Sequence, residues 1–364
     1  MAERGEIQAI GLMSGTSLDG VDAALLMTDG VDIARPGGWL SRPYDAATRT
    51  LLRRALDGEA VAQAERAMTD AHGAVLGTLL DAAGLSSAAI DVVGFHGHTL
   101  WHRPECGETC QIGDGAQLAA LCGIDVIDDF RSADMSAGGE GAPLAPLYHQ
   151  VLAQALPRPL CVLNVGGVAN VTWIGEGNDL VAFDTGPGGG LLDDWMRATT
   201  GASYDEDGGL ARQGQVDEAQ LAHLLDNPWF ERPPPKSLDR HSFEATSLSG
   251  LAPADGAATL VALTAWAVAK ARVHFPAAPL RWLVCGGGRH NSALMAALAE
   301  ALDGIDVAPV EAVGWQGDAL EAQAFAYLAA RSLRGLPLSL PQTTGACQAV
   351  TGGRHHPAPD DRAG

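Results

Sequence analysis

The stretch GLMSGTSLDGVDAALL, residues 11–26, joins two apolar runs through a turn that carries hydroxyls, glycines and two carboxylates. The runs at 7–13 and 21–27 are short and rich in aliphatic residues, and residues 14–20 separate them. The pattern reads as strand, turn, strand. Glycines let a backbone approach an anion closely, and Thr16 and Ser17 add hydroxyl donors to exposed N–H groups. The turn is not a Walker loop, because it lacks GxxxxGK[ST], holds no lysine and leads into a strand. Taken alone it leaves two readings open, a tight hairpin and a phosphate clamp.

Three further glycine turns extend the pattern. NVGGVAN, residues 164–170, repeats the strand–turn–strand setting, and two such hairpins could grip one polyphosphate from opposite sides. VCGGGRHN, residues 284–291, runs from a strand into a helix. It would admit a flat group or a phosphate at the helix N-terminus, or serve only as a tight connection. It lacks GxGxxG, so a dinucleotide fingerprint is not supported. In FDTGPGGGLLDDW, residues 183–195, Asp184 is expected at the end of a buried strand facing a glycine turn. A carboxylate held there suits a general base, and equally a turn cap.

Outward from these turns, the chain reads as two related α/β halves. The first has its opening strand pair, helical spacing over 46–85, a strand in IDVVGFHGHT, a helix in AQLAALCG and a strand in IDVIDDF. The order restarts at LCVLNVGGVANVTWIGEG and continues through the Asp184 segment. NPWFERPPPKSL, residues 227–238, reads as an exposed loop. A helix near 259–274, the strand RWLVCGGG, the helix NSALMAALAEAL and the closing helix GDALEAQAFAYLAARSL follow. The expected fold is α/β, with two related lobes and a central cleft, and clefts between lobes favour ligands. The expected first lobe is 1–147 plus about 316–350 and the second 148–315. Residues 351–364 read as a disordered tail.

Composition narrows the function classes. The 364 residues carry a net charge of −21, which disfavours nucleic acid and acidic lipid surfaces as partners. A phosphate site in such a field needs local donors and a divalent cation. The six cysteines show no paired CxxC spacing and read as reduced thiols of a cytoplasmic protein. MAERGEIQAIG lacks the apolar region of a signal peptide. AATLVALTAWAVAKA, residues 257–271, falls short of the ~20 residues of a membrane span and reads as a buried helix. HGHTLWHRP offers His96, His98 and His102, but no further ligands follow at zinc spacing. No GxSxG elbow marks a serine hydrolase.

Together GLMSGTSLDGVDAALL, GFHGHTLWHRP, QIGDGAQLA, DDFRSADMSAGGEGAPLAPLYH, LNVGGVANVTWI, FDTGPGGGLLDDW, CGGGRHN and PLSLPQTTGA resemble the anhydro-N-acetylmuramic acid kinase family, in family order from about residue 7 to 346. The resemblance implies an actin-like, ribonuclease H-like fold. It also implies ATP- and water-driven opening of a 1,6-anhydro sugar to N-acetylmuramic acid 6-phosphate, in cell-wall recycling. On that pattern Gly15, Thr16, Ser17, Leu18, Asp19, Gly20, Val21 and Asp22 form the first phosphate hairpin, Gly166 and Gly167 the second, and Gly286, Gly287 and Gly288 flank the adenosine. Asp184 is the base, Arg131 meets the lactyl carboxylate, and His98 and Asp134 line the sugar pocket. Mg²⁺ accompanies ATP, with Asp19 or Asp22 holding it through water, and a homodimer is implied.

Two departures from the family stand out. Gly189 replaces the usual Asn after DTGPG, and KSLDRHSF replaces a KSTGRE-like segment, with Leu238, Asp239 and His241 at the changed positions. A non-kinase actin-like ATPase or nucleotide-binding scaffold, or a kinase of another amino sugar, is the alternative reading.

Overall fold

The computed structural model describes residues 5–15, 18–239, 242–243 and 248–359. The chain divides into two compact units, Met1–Gln154 with Asp318–Gly364, and Ala155–Gly317.

The first unit begins with β1 (Ile7–Ser14), β2 (Gly20–Thr28) and β3 (Ala34–Pro43), an antiparallel meander in which Met13 pairs with Asp22 and Gly20 with Pro43. β3 is not apparent in the sequence, where Pro36, Gly37 and Gly38 interrupt its apolar alternation. α1 (Ala46–Leu56) starts where Asp45 accepts the Thr48 N–H at 2.7 Å, and α2 (Val61–Ala83) stops at Gly84. These signals satisfy the orphan groups of helix ends. β4 (Val92–Arg103) runs parallel to β1 and then turns back as β5 (Glu108–Ile112). α3 (Gly115–Cys122), β6 (Val126–Asp128), α4 (Ser132–Ser136) and α5 (Pro146–Leu152) complete this stretch.

The second unit is built on β7 (Leu160–Val165), β8 (Val168–Ile174) and β9 (Leu180–Pro187), again an antiparallel meander. α6 (Gly189–Thr200), α7 (Glu218–Leu225) and α8 (Pro253–Ala271) follow, then β10 (Arg281–Cys285), α9 (Ser292–Ala301) and β11 (Asp306–Pro309). The sheet order is β11-β10-β7-β8-β9, with β10 parallel to both β7 and β11. α8 is long and apolar enough to cross a membrane by composition, yet Leu260, Leu263, Ala267 and Val268 are buried in the core with Phe183, Trp195 and Trp282. The expected exposed loop at 227–238 is corrected in part: Pro228, Glu231, Arg232 and Pro233 are exposed, but Phe230, Lys236, Ser237 and Leu238 are buried. Phe230 joins an aromatic cluster with Trp229, Phe243 and Trp266, and that burial outweighs the turn signal of the prolines.

The chain returns to the first unit as α10 (Leu320–Leu333), α11 (Pro341–Thr344) and β12 (Arg354–His356), giving the sheet order β12-β6-β4-β1-β2-β3 with β5 paired to β4. α10 lies directly on β1 and β4. A Cβ on Gly11 would stand 1.7 Å from the Ala322 carbonyl oxygen, and one on Gly94 would stand 2.1 Å from that of Phe325. The sheet is therefore covered on both faces, with Leu52, Met68 and Leu76 on the other side, which explains why β1 and β4 read as continuous apolar runs.

The expected disordered tail is corrected in part. β12 pairs antiparallel with β6, Arg354 holds Asp128 at 3.0 and 3.1 Å, and His355 meets Asp125 at 2.8 Å. Small and polar composition concealed a strand whose ordering comes from carboxylates more than two hundred residues away. Residues 360–364 lie outside the described residues.

Candidate functional site

In the first hairpin, Leu18 closes the turn by donating its N–H to the Gly15 carbonyl at 3.2 Å. Leu18 has φ +60, a conformation that costs an L-residue about 1–2 kcal/mol, and its buried side chain holds it there. Strain retained at a turn by packing points to a working turn. Thr16 and Ser17 lie outside the described residues. Asp19 accepts the Tyr44 N–H through its carbonyl at 3.0 Å, Val21 is buried, and Gly20 opens β2. The Asp22 carboxyl is pushed up by burial, with Ser41 pulling it down and the like charges of Asp318 and Asp19 adding to the rise.

Behind that turn runs a buried chain of hydroxyls. Tyr44 donates to Ser14 Oγ at 2.8 Å, and Ser14 Oγ meets His98 Nδ1 at 3.2 Å. With Ser14 Oγ accepting from Tyr44, its own proton is available to Nδ1, and in that tautomer His98 carries its hydrogen on Nε2. That Nε2 is buried without a partner among the described residues. Burial lowers His98 to about 4, so the ring is neutral at pH 7.

Arg131 precedes α4 and donates to the Gly141 carbonyl at 2.7 Å and to His96 Nε2 at 2.9 Å. A guanidinium only donates, so His96 carries its hydrogen on Nδ1 and gives it to the Gly97 carbonyl at 3.0 Å. Burial, reinforced by the Arg131 charge, keeps His96 neutral. Asp134 differs from its expected place as a pocket wall. It is 2% exposed and accepts the Gly141 N–H at 2.8 Å, Thr344 Oγ1 at 2.7 Å and Ser339 Oγ. Its oxygens are taken by protein donors, and it fixes the same Gly141 peptide that Arg131 grips.

A cavity of about 240 Å³ opens in this unit where β6 ends and β5 has not yet begun to pair with β4. His96, Thr109, Gln111, Asp128, Ser132 and Arg354 line it. It lies at the carboxyl ends of parallel strands, the usual ligand crevice of such sheets.

In the second unit the Gly166–Gly167 hairpin docks on the start of α6. The Gly166 carbonyl accepts the Gly189 N–H at 2.7 Å, and the Gly167 carbonyl accepts those of Gly188 and Gly190 at 3.0 and 3.1 Å. Gly189 thus contributes here through its main chain. Asp184 lies inside β9 rather than at its end, opposite Asn170, and is buried. β9 is the last strand of its sheet, and the segment at 236–238 runs along its open side. The Asp184 N–H donates to the Lys236 carbonyl at 2.9 Å, and the Leu238 N–H donates to Asp184 Oδ2 at 2.8 Å. Arg240 and His241 of that segment lie outside the described residues.

Of the third turn, two glycines have packing reasons. Gly286 has φ +74, and a Cβ there would stand 2.3 Å from Asn164 Oδ1. One on Gly288 would stand 2.5 Å from Val165 Cγ1. Gly287 faces open space. Buried Arg289 braces the turn, donating to Glu311 at 2.9 Å and to the Gly286 carbonyl at 3.0 Å. Tyr44 and Asp318 are not singled out by the sequence; Ser14 and Lys236 figure there only as members of quoted segments, and His96 only among the histidines weighed for zinc. Asp318 lies in the helix start GDALEAQAF, rich in carboxylates.

Residues 7–358 match the family model for anhydro-N-acetylmuramic acid kinase. A protein of that name from Rhodospirillum rubrum is 56% identical over 361 residues, covering 97% of this chain and 95% of its own length. Another from Rhizorhabdus wittichii is 53% identical over 359 residues, 96% of this chain and 98% of its own. Among solved structures, component A of the (R)-2-hydroxyglutaryl-CoA dehydratase of Acidaminococcus fermentans aligns with TM-score 0.48 at 14% identity, covering 89% of this chain and 99% of that one. A ROK family glucokinase from Streptomyces griseus, in complex with glucose and AMPPNP, aligns with TM-score 0.43 at 14% identity, covering 88% and 99%. With the hairpins, the buried carboxylate and the full-length match in hand, the chain belongs to the anhydro-N-acetylmuramic acid kinase family.

Proposed function

We propose that this chain uses ATP and water to convert 1,6-anhydro-N-acetylmuramic acid into N-acetylmuramic acid 6-phosphate, in the recycling of peptidoglycan. The observation that carries the mechanism is the fixed, buried carboxylate of Asp184. Asp184 takes a proton from a water that attacks the anomeric carbon. The C1–O6 bond breaks, O6 takes the γ-phosphoryl group, and the bond to the leaving ADP oxygen breaks. Such a transfer depends on positioning and charge neutralisation more than on covalent help from the protein.

The residues divide the work. Gly15–Asp22 and Gly166–Gly167 hold the phosphates, and Gly286, Gly287 and Gly288 border the adenosine, with Gly287 leaving room for close approach. Mg²⁺ enters as the chelate of ATP and offsets charge in an acidic protein. Asp19 and Asp22 suit a water-mediated contact with it, since burial and like charges already penalise the Asp22 carboxylate, a penalty that a cation relieves. Arg131 suits the lactyl carboxylate as a forked donor. His98 suits a sugar oxygen through its buried Nε2–H, and the polar cavity beside His96 suits the rest of the sugar. Asp134 supports Arg131 through Gly141. The enzyme works in the cytoplasm as a homodimer, with a small sugar as its partner and neither nucleic acid nor membrane.

The test is sugar-dependent ADP release compared across 1,6-anhydro-N-acetylmuramic acid, its reducing form and an anhydro sugar without the lactyl group. Turnover with the first alone supports the reading. Equal turnover with the reducing sugar overturns the ring-opening mechanism, and ADP release indifferent to all three overturns the kinase.

A further inference from the structure

We propose that Lys236 is a positioning residue for Asp184, its charged ammonium locking the 236–238 segment whose main chain orients the carboxylate. The inference deepens the reading of Asp184 as the base and rests on it. Lys236 is 3% exposed, and no carboxylate pairs with it among the described residues. Its ammonium sits instead on the carbonyl oxygens of Phe230 and Trp229, at 3.3 and 3.4 Å, and 4.2 Å from the centre of the Trp229 ring. Carbonyl dipoles and a ring face stabilise a cation weakly compared with a carboxylate, so burying this charge costs stability. A fold that keeps such a charge on the very residue whose carbonyl takes the Asp184 N–H, on the same segment that donates to the carboxylate, uses it there.

The link is geometric. The backbone of Lys236 accepts from Asp184 N–H, and two residues on, Leu238 N–H donates to Asp184 Oδ2. Anchoring the Lys236 side chain fixes both bonds at once. The anchor is main-chain at the Asp184 end, so the side chain at 238 is free to be apolar, and Leu238 packs into the core of its unit. Lys236 is surrounded by the charges of Arg232, Lys270, Glu231, Asp184 and His274. Burial first, then Arg232 and Lys270, lower the ammonium to about 8, while Glu231 and Asp184 oppose the shift. Loss of the proton near that pH would loosen the anchor and withdraw a positive charge from the neighbourhood of Asp184.

The experiment is a pH–rate profile of kcat for wild type, Lys236→Met, Lys236→Arg and Asp184→Asn, with ATP affinity as the check on folding. Wild type is expected to lose turnover above about pH 8. Lys236→Met loses about 10- to 100-fold in kcat with ATP affinity kept, the scale of a displaced catalytic group. Lys236→Arg recovers turnover and moves the alkaline limb upward, because a guanidinium stays charged. A side chain that merely fills space would leave that limb unmoved. An Asp184→Asn variant without turnover beside Lys236→Met with unchanged kcat and pH profile overturns this inference alone. Wild-type turnover in Asp184→Asn overturns the base and the inference together. Should Lys236→Met fail to fold, an alkaline limb identical in wild type and Lys236→Arg is the overturning result.

Discussion

The backbone N–H of Leu238 donates to Oδ2 of Asp184 at 2.8 Å, a contact made by main chain that does not depend on the side chain at 238. The departure at residue 238 therefore leaves this contact intact. The same holds for Gly189, whose N–H reaches the Gly166 carbonyl at 2.7 Å.

Arg131 grips Gly141 and His96 with a fork that lysine cannot reproduce. Losing one charge-assisted hydrogen bond, about 1.5–3 kcal/mol, corresponds to a rise in sugar KM of roughly 10- to 100-fold in Arg131→Lys. Steady-state kinetics at saturating ATP measures it. An unchanged KM would remove Arg131 from the sugar site.

Close packing of α10 on β1 makes Gly11 intolerant of a side chain. Gly11→Ala places a methyl 1.7 Å from the Ala322 carbonyl oxygen and is expected to cost stability at the upper end of about 1–3 kcal/mol or beyond. Urea unfolding measures it, and a loss under half a kcal/mol would contradict the packing.

Buried neutral histidines set an acid limit. His72 and His98 are each lowered to about 4 and His149 to about 3, in every case by burial. The unfolded chain binds these protons below about pH 6.5 while the folded chain does not, so stability falls as pH drops from about 6.5 towards 4. His72 is fully buried with Nε2 unpartnered among the described residues. His72→Leu is expected to remove on the order of 2 kcal/mol of the loss between pH 7 and 5. Urea midpoints of both proteins at the two pH values decide the point, and parallel losses would contradict it.

The C-terminal strand contributes to folding. Truncation after Val350 removes β12 and leaves the buried Asp128 carboxylate without Arg354 and His356. The melting temperature should drop, by about 2–4 °C for each kcal/mol lost. An unchanged melting temperature would make the strand incidental.

Much of the architecture was legible because its signals are local. The strand pairs around SGTSLDG and NVGGVAN carry apolar runs broken by turn residues, and α1, α3 and α9 carry side-chain caps at Asp45, Asp114 and Asn291. What escaped was non-local. β3 is held by pairing with β2 despite Pro36 and two glycines, and β12 by carboxylates of β6. The prolines of 227–238 signalled a loop, which the segment is, but its burial depends on Phe230 meeting α8 and the strand edge of β9. Asp134 had the chemistry of a pocket wall, and its inward turn depends on Ser339 and Thr344, two hundred residues on. Lys236 was legible only as the first residue of KSLDRHSF, since its significance lies in what its backbone touches.

The account depends most on Asp184, and the most direct measurement is turnover of 1,6-anhydro-N-acetylmuramic acid by Asp184→Asn, with ATP binding measured on the same protein. The substitution keeps an acceptor for the Leu238 N–H and removes the base. The expected result is a loss of about 10²–10⁴-fold or more in kcat with ATP affinity near wild type. Turnover within a few-fold of wild type would contradict the account.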